Sequence, residues 1–495
     1  MSLPSLARVS SAPAATLRAF GRKLASIGVS GAGAAPIVEA AQAVAPGLRQ
    51  PIRAFHLRRL ETPVGFAMRM FLFSDPVSAE EARAALGELT DPLIDLGLLE
   101  RSAGGGFVSP FALSIIDDLF ILSDDLSHGR DAVMGFGETT VELCGAAFPR
   151  QNVQRVLDLG CGSGTAALLL AKRARASVGV DINPRAVELS KINAAINGIT
   201  NVEFRVGDLF APVRGETFDL IVSQPPFVPK PSGVGAATFM YGGPRGDELS
   251  LSLLGKLAPH LAPGGRALVV VEWPDHGTDA LDVRLRKAID TGDVSLLLLR
   301  MPHVDLDGHA VAYAAGLHPT LGRPFEQEAR VRREHLEQMG IRALLPTLLV
   351  IERADPTPGW TMTVAIEPIS RVSFTSERID RLLAAQAVAA APERLLAARL
   401  RMPEGSVLSQ EQAGPGADVP STLHARFAPA ALIPPLQLTI ELLALLTFLH
   451  EAPTVRVGLE RFAAELEIPL DEAMPRSIEA AARALREGIL EIASA

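Results

Sequence analysis

The sequence predicts an α/β fold, a mostly parallel, doubly wound sheet with helical segments on either side of it in the chain. Three observations carry this. One stretch reads as a buried strand, a glycine turn and the start of a helix. Further strand patterns follow it at α/β spacing, three of them ending in an acid or a proline turn. Helical periodicity fills the chain before and after.

The first stretch is Val156-Leu-Asp-Leu-Gly-Cys-Gly-Ser-Gly-Thr165. Val156, Leu157 and Leu159 show no solvent-facing alternation, as in a parallel strand covered on both faces. Gly160, Gly162 and Gly164 then allow a tight turn and a close approach of a ligand to the backbone. Thr165 to Lys172 follows as a helix. Its first N–H groups face whatever sits over the turn.

A second strand, Ala176 to Val180, ends in Asp181-Ile182. An acid there is where ribose hydroxyls are held in doubly wound folds. A third, Val202 to Val206, ends in Gly207-Asp208-Leu209, and a fourth, Phe218 to Val222, in Ser223-Gln-Pro-Pro-Phe227. Ala267 to Trp273, Val294 to Met301 and Thr347 to Arg353 are apolar enough to be the last three strands. A helix at Glu326 to Met339 separates the final two.

In register, these residues resemble the class I S-adenosylmethionine-dependent methyltransferases. The glycine turn is GxGxG, not the dinucleotide GxGxxG. Gln224-Pro-Pro-Phe227 is similar to the (Asn/Asp/Ser)-Pro-Pro-(Tyr/Phe) signature of amino methyltransferases, which act on glutamine side chains, adenine N6 or guanine N2. Gln at its first position is a departure. The resemblance implies a Rossmann-like, seven-stranded core whose last strand is antiparallel, with S-adenosyl-L-methionine as cofactor. It implies that Gly160, Gly162, Gly164 and Thr165 form the cofactor turn and that Asp158 lies beside the amino-acid portion. Asp181 and Ile182 would border the ribose, and Asp208 and Leu209 the adenine. Gln224 would border the methyl group. Gln224, Pro225 and Phe227 would hold a planar NH2, and Tyr241 is the nearest further polar contact.

Before the core, Gly135-Phe-Gly-Glu-Thr-Thr140 leads into a helix at Val141 to Ala147. A similar Glu-Thr element in the glutamine methyltransferases borders the cofactor's methionine end, so Glu138, Thr139 and Thr140 are candidates. Simple helix capping by a threonine is the alternative. His303 and His309 flank a loop after the sixth strand, either as a base or as solvated side chains.

At 495 residues the chain exceeds one ordinary domain. Residues 1–127 are expected to be helical and winged-helix-like: Pro63 to Phe73, a capping box at Ser78-Ala-Glu-Glu81, a helix ending at Gly97, and a hairpin tipped by Gly104-Gly-Gly106. The core is placed at 128–370. A mainly helical C-terminal domain is placed at 371–495, with 402–421 as a flexible segment and helices at Leu438–Leu449, Val457–Leu466 and Pro475–Ile492. Residues 376–400 read as one helix.

Net charge is −9, with +7 in residues 1–60. An acidic body does not favour non-specific phosphate binding, and the third N-terminal helix carries Asp91 and Asp95 without Lys or Arg. The basic start is either a transit peptide or a soluble helix carrying Leu17, Phe20, Leu24 and Ile27. Two cysteines exclude a disulfide framework and no zinc spacing occurs, so no metal is expected. A reducing, cytoplasmic setting fits, and no apolar run spans a bilayer. The functional expectation is N-methylation of an amide or amine on a small molecule or protein side chain. O- or C-methylation of a small metabolite and a nucleic-acid-binding regulator are the alternatives.

Overall fold

The computed structural model describes residues 3–42, 49–125, 129, 131–233, 239–318, 320, 322–353, 359–366, 375–411, 422–426 and 436–493. They fall into two units. One holds residues 1–296 and 303–361, the other 297–302 and 362–495.

The first unit is built on a twisted sheet. Its strands are β1 Val153–Leu159, β2 Ala174–Asp181, β3 Val202–Val206, β4 Phe218–Ser223, β5 Leu261–Asp275, β6 Val294–Arg300 and β7 Ala343–Arg353. Of β6, residues 294–296 belong to this unit. The order is β6-β7-β5-β4-β1-β2-β3. β1 pairs parallel with β2 and β4 on either side, Leu157 lying opposite Val178 and Ile221. β7 runs antiparallel to β5, with Val269 opposite Leu349. The reversal of order between β1 and β4 opens a crevice at the strands' carboxyl ends, where ligands bind in open α/β sheets.

The central strands are apolar on both faces because helices cover both. Val156, Leu157 and Leu159 are all at most 1% exposed. Gly179 on β2 is a packing glycine. A side chain there would meet the Phe204 ring at 2.5 Å and Cys161 Sγ at 3.1 Å.

Helix Pro184–Asn197 follows β2, and it joins the N-terminal residues to the sheet. Leu189, Ile192 and Ile196 share one core with Leu17, Phe20, Leu24, Met70 and Phe71. The helix Ala14–Ser26 that carries Leu17, Phe20 and Leu24 is therefore a packed element, as its period predicted. Three helices, Pro63–Leu72, Ala79–Leu86 and Thr90–Leu96, precede an antiparallel pair, Glu100–Arg101 with Phe107–Val108. Ser78 and Glu81 make the reciprocal capping box.

The next segment is a hairpin, Ala112–Ile116 with Leu119–Ser123. Its edge is sealed by side chains. Asn193 and Asn197 each accept from and donate to the backbone of Leu122 and Phe120 at 2.8–2.9 Å. His309 is not in a loop but inside a second helix, Leu306–Leu317, between β6 and β7. Asp305 caps that helix by accepting from Gly308 N. Two internal glycines, 308 and 316, disguised its helical pattern.

In the second unit, the expected helix at 376–400 is two, Ser376–Ala389 and Pro392–Ala397, divided where Pro392 cannot continue the first. The 402–421 stretch contains a strand, Val407–Glu411, paired with Thr422–Arg426, which pairs in turn with Leu436–Leu438. Its remainder from 412 lies outside the described residues, as does the expected boundary at 370. The last helices are Ile440–Glu451, Val455–Glu465 and Leu470–Arg486. Leu395, Leu446, Leu449, Val455, Leu459 and Leu485 centre their core. Among the described residues no single helix is long and apolar enough to cross a membrane.

Candidate active site

The carboxyl ends of β1, β2 and β4 surround a cavity of about 390 Å³. Most of its walls come from features the sequence singled out. Gly160 (φ 77°), Gly162 (φ 53°) and Gly164 (φ 80°) sit in the left-handed region that favours glycine. Nothing lies within 4 Å of where a Gly160 or Gly162 side chain would be, so this backbone is bare toward the cavity. Gly164 is different: a Cβ there would meet Ser190 at 2.8–2.9 Å, so it serves packing and does not line the cavity. Thr165, 2% exposed, opens the following helix with its hydroxyl 3.0 Å from that of Ser163.

Two acids define the electrostatics. Asp158 is 4% exposed and accepts from Ala167 N at 2.8 Å. Burial pushes its pKa up to about 7; the Ala167 N–H pulls it back and Asp181 pushes it further up. Asp181 accepts from Gly162 N and from Asn183 N, each at 2.8 Å, tying the glycine turn to the end of β2. Its pKa is raised, again chiefly by burial. Two carboxyls with raised pKa values, one buried and one half-buried, suit a ligand that brings positive charge or hydroxyl donors.

Ile182, Asp208 and Leu209 line the far wall. Leu209 holds φ at 45°, which a leucine rarely adopts, at a cost of about 1–2 kcal/mol. The strained residue thus sits in the cavity wall itself.

Gln224, Pro225 and Pro226 form the floor near helix Glu138–Ala147. The Gln224 carboxamide is held from both sides. Thr140 Oγ1 donates to Oε1 at 3.0 Å and Nε2 donates to Thr139 Oγ1 at 2.5 Å. Thr140 also accepts from Gly137 N at 3.4 Å, so the capping role and the contact with the site coexist. Thr140 lines the cavity; Thr139, Phe227 and Tyr241 do not. The Tyr241 hydroxyl accepts instead from Arg332 at 2.9 Å. Val133, Phe239 and Leu253, which no motif marked, complete the apolar lining with Phe136 and Leu143 from the element before the core.

Residues 151–262 match a family model described as a methyltransferase domain. These residues are a methyltransferase domain. Its strand order, with β7 antiparallel beside β5, is that of the class I fold. Residues 24–109 match a second family model, described as a domain of unknown function, DUF7059. The chain is 49% identical over 80 residues to the release factor glutamine methyltransferase of Aliivibrio fischeri, covering 16% of this chain and 28% of that one. It is 37% identical over 166 residues to the enzyme of that name from Koribacter versatilis, covering 31% and 58%. The chain thus spans between about a quarter and three-fifths of the length of these relatives. A methyltransferase structure from Pyrococcus furiosus aligns with 45% of this chain and 86% of its own, at 18% identity and a TM-score of 0.29.

Class I methyltransferase domains take S-adenosylmethionine as methyl donor. The cavity fits it on two counts. The bare backbone at Gly160 and Gly162 leaves room for close contact. The raised carboxyls of Asp158 and Asp181 suit a ligand with an ammonium, a sulfonium and a diol.

Proposed function

We propose that the protein is an S-adenosylmethionine-dependent N-methyltransferase whose acceptor is the side-chain amide of a glutamine in a protein. The observation that carries this reading is the held carboxamide of Gln224 at the cavity floor, beside Pro225 and Pro226. Each of its polar atoms keeps one free valence. Oε1 has a second lone pair and Nε2 a second N–H. A donor and an acceptor side by side match another primary amide edge to edge.

The bound cofactor supplies an electrophilic methyl group on a sulfonium. Everything else falls to the chain. Asp181 takes the ribose hydroxyls, Asp208 and the Leu209 backbone the adenine edge, and Asp158 the amino-acid end. The two prolines remove two N–H donors and leave carbonyl acceptors for the incoming NH2. Fixing this group collinear with the methyl, with water excluded by the apolar lining, is the main source of rate. The relatives' names supply the acceptor class in this reading, and a cytoplasmic setting goes with it. Asp91 and Asp95, exposed on a helix without basic residues, give no support to a nucleic-acid acceptor.

The test is transfer of labelled methyl groups to a purified bacterial release factor and to the same factor with its acceptor glutamine changed to glutamate. Label found on a glutamine side-chain nitrogen after proteolysis supports the reading. Label on oxygen or carbon, or none on either protein, overturns it.

A further inference from the structure

The turn Gln224–Phe227 does not stand alone. The segment Met240–Asp247 lies directly behind it. Val228 N donates to Met240 O at 3.0 Å and Lys230 N to Gly243 O at 2.9 Å. A side chain at Gly242 would meet Pro226 O at 2.6 Å and the Phe227 Cα at 2.9 Å; one at Gly246 would meet Phe227 O at 2.5 Å. The two backbones are in contact with no side chain between them, so the shape of one sets the shape of the other.

Helix Arg323–Gln338 holds that segment from the other side. Arg332 is 2% exposed. Its Nη2 donates to the Tyr241 hydroxyl at 2.9 Å and reaches Met240 Sδ at 3.9 Å. Its guanidinium lies 5.7 Å from the Tyr241 ring centroid and 5.8 Å from that of Tyr313. Glu328 Oε1 is 2.8 Å from Nε but off the N–H direction, so Nε and Nη1 have no hydrogen-bond partner among the described residues. One turn further on, the His335 Nε2 lies 2.7 Å from Pro244 O. Behind them the Glu272 carboxyl, 3.6 Å from His309 Nε2, is pushed up to about 7 by burial.

A buried, incompletely paired guanidinium is a poor source of stability, since an apolar side chain of similar size would avoid its desolvation. What it supplies is a fixed direction. We propose that Arg332, assisted by His335, is a positioning residue for methyl transfer: it locks Met240–Asp247 and, through that segment, the Gln224-Pro-Pro backbone that faces the acceptor. It touches neither cofactor nor acceptor. The effect on transfer rests on the amide N-methylation reading; the effect on order does not.

The experiment compares wild type with Arg332→Met, Tyr241→Phe and the double variant. Amide hydrogen exchange is read at Val228, Lys230 and Gly246, with S-adenosylhomocysteine affinity and methyl transfer to a release factor alongside. Arg332→Met is expected to speed exchange at those amides about tenfold or more, leave exchange in β1 and β2 unchanged, and keep cofactor affinity within about twofold. Transfer is expected to fall about tenfold in kcat, the scale of a misplaced acceptor turn. Tyr241→Phe, which removes only the hydroxyl, is expected to move the same amides less. The double variant is expected to match Arg332→Met alone, because one path is cut twice. Unchanged exchange at Val228 and Lys230 overturns the proposal. So does a loss of protection spread over β1 and β2, which marks a merely structural arginine. If wild type transfers to no release factor, the acceptor reading fails and exchange alone decides this one.

Discussion

Replacing Asp158 by asparagine isolates the cost of ionising a carboxyl inside the cavity. The unfolded carboxyl titrates near 3.9; the folded one is held up at about 7. An acid whose folded value exceeds its unfolded value binds more protons when folded. Its contribution to stability is whole below about pH 4 and is lost as the pH rises through about 7. The gap of about three pH units, at 1.36 kcal/mol each, bounds the loss at on the order of 4 kcal/mol. Asparagine escapes it while keeping an oxygen for Ala167 N. Its new NH2 costs about 1–3 kcal/mol if it finds no partner, but that cost does not depend on pH. The clean quantity is therefore the change with pH in the difference between variant and wild type. Thermal unfolding without cofactor, at pH 5 and pH 8.5, should show the variant gaining on wild type by about 1–3 kcal/mol between the two, the part of the loss that falls above pH 5. An equal difference at both pH values would refute the reasoning, since Asp158 would then ionise in the folded chain as freely as in the unfolded one.

Other consequences are as direct. S-adenosylhomocysteine keeps the ammonium, so its affinity should rise between pH 6 and 8 as Asp158 gains charge, and Asp158→Asn should flatten that slope in calorimetric titration. Asp181→Ala should weaken the same ligand by about 1–3 kcal/mol, the cost of unpaired hydrogen bonds; unchanged affinity would remove Asp181 from the ribose site. Gln224→Ala should cut methyl transfer on the order of 100-fold with cofactor affinity retained, whereas near-normal turnover would leave the carboxamide as a structural strut. Asn193→Ala strands the backbone of Leu122 and Ser163 O, all within 2.9 Å of a fully buried amide. It should lower stability by on the order of 2–4 kcal/mol in denaturant titration.

The core was legible because its signals are local. Val156 to Leu159 has no polar face, and a strand with no polar face must be covered twice. Gly160, Gly162 and Asp181 are punctuation at strand ends, and strand ends share an edge in a doubly wound sheet. Those residues therefore met around one cavity without any knowledge of long-range packing. What stayed hidden depends on partners distant in sequence. Asn193 and Asn197 look like ordinary polar helix residues until the Leu119–Ser123 strand lies beside them. Val133 belongs to no motif and reaches the cavity only because the chain passes over it there. Tyr241 was the nearest aromatic hydroxyl in sequence to the acceptor turn, but a helix some 90 residues later claims it. Helix Leu306–Leu317 was lost to Gly308 and Gly316, whose low helical propensity tertiary packing overrides.

The two asparagines on helix Pro184–Asn197 join segments far apart in the chain within one compact unit. They complete the hairpin Ala112–Ser123 as a third strand would, while Arg185 clasps Asp124 and Asn183 takes Asp131 O. Asn193 reaches the glycine turn itself through Ser163 O. The residues that cradle the ligand are thus wired to a hairpin encoded before the methyltransferase domain begins. This catalytic module is not a cassette. Cut free of its upstream hairpin, it would carry the glycine turn and the strand-end acids and leave Asn193 and Asn197 without the backbone groups they pair.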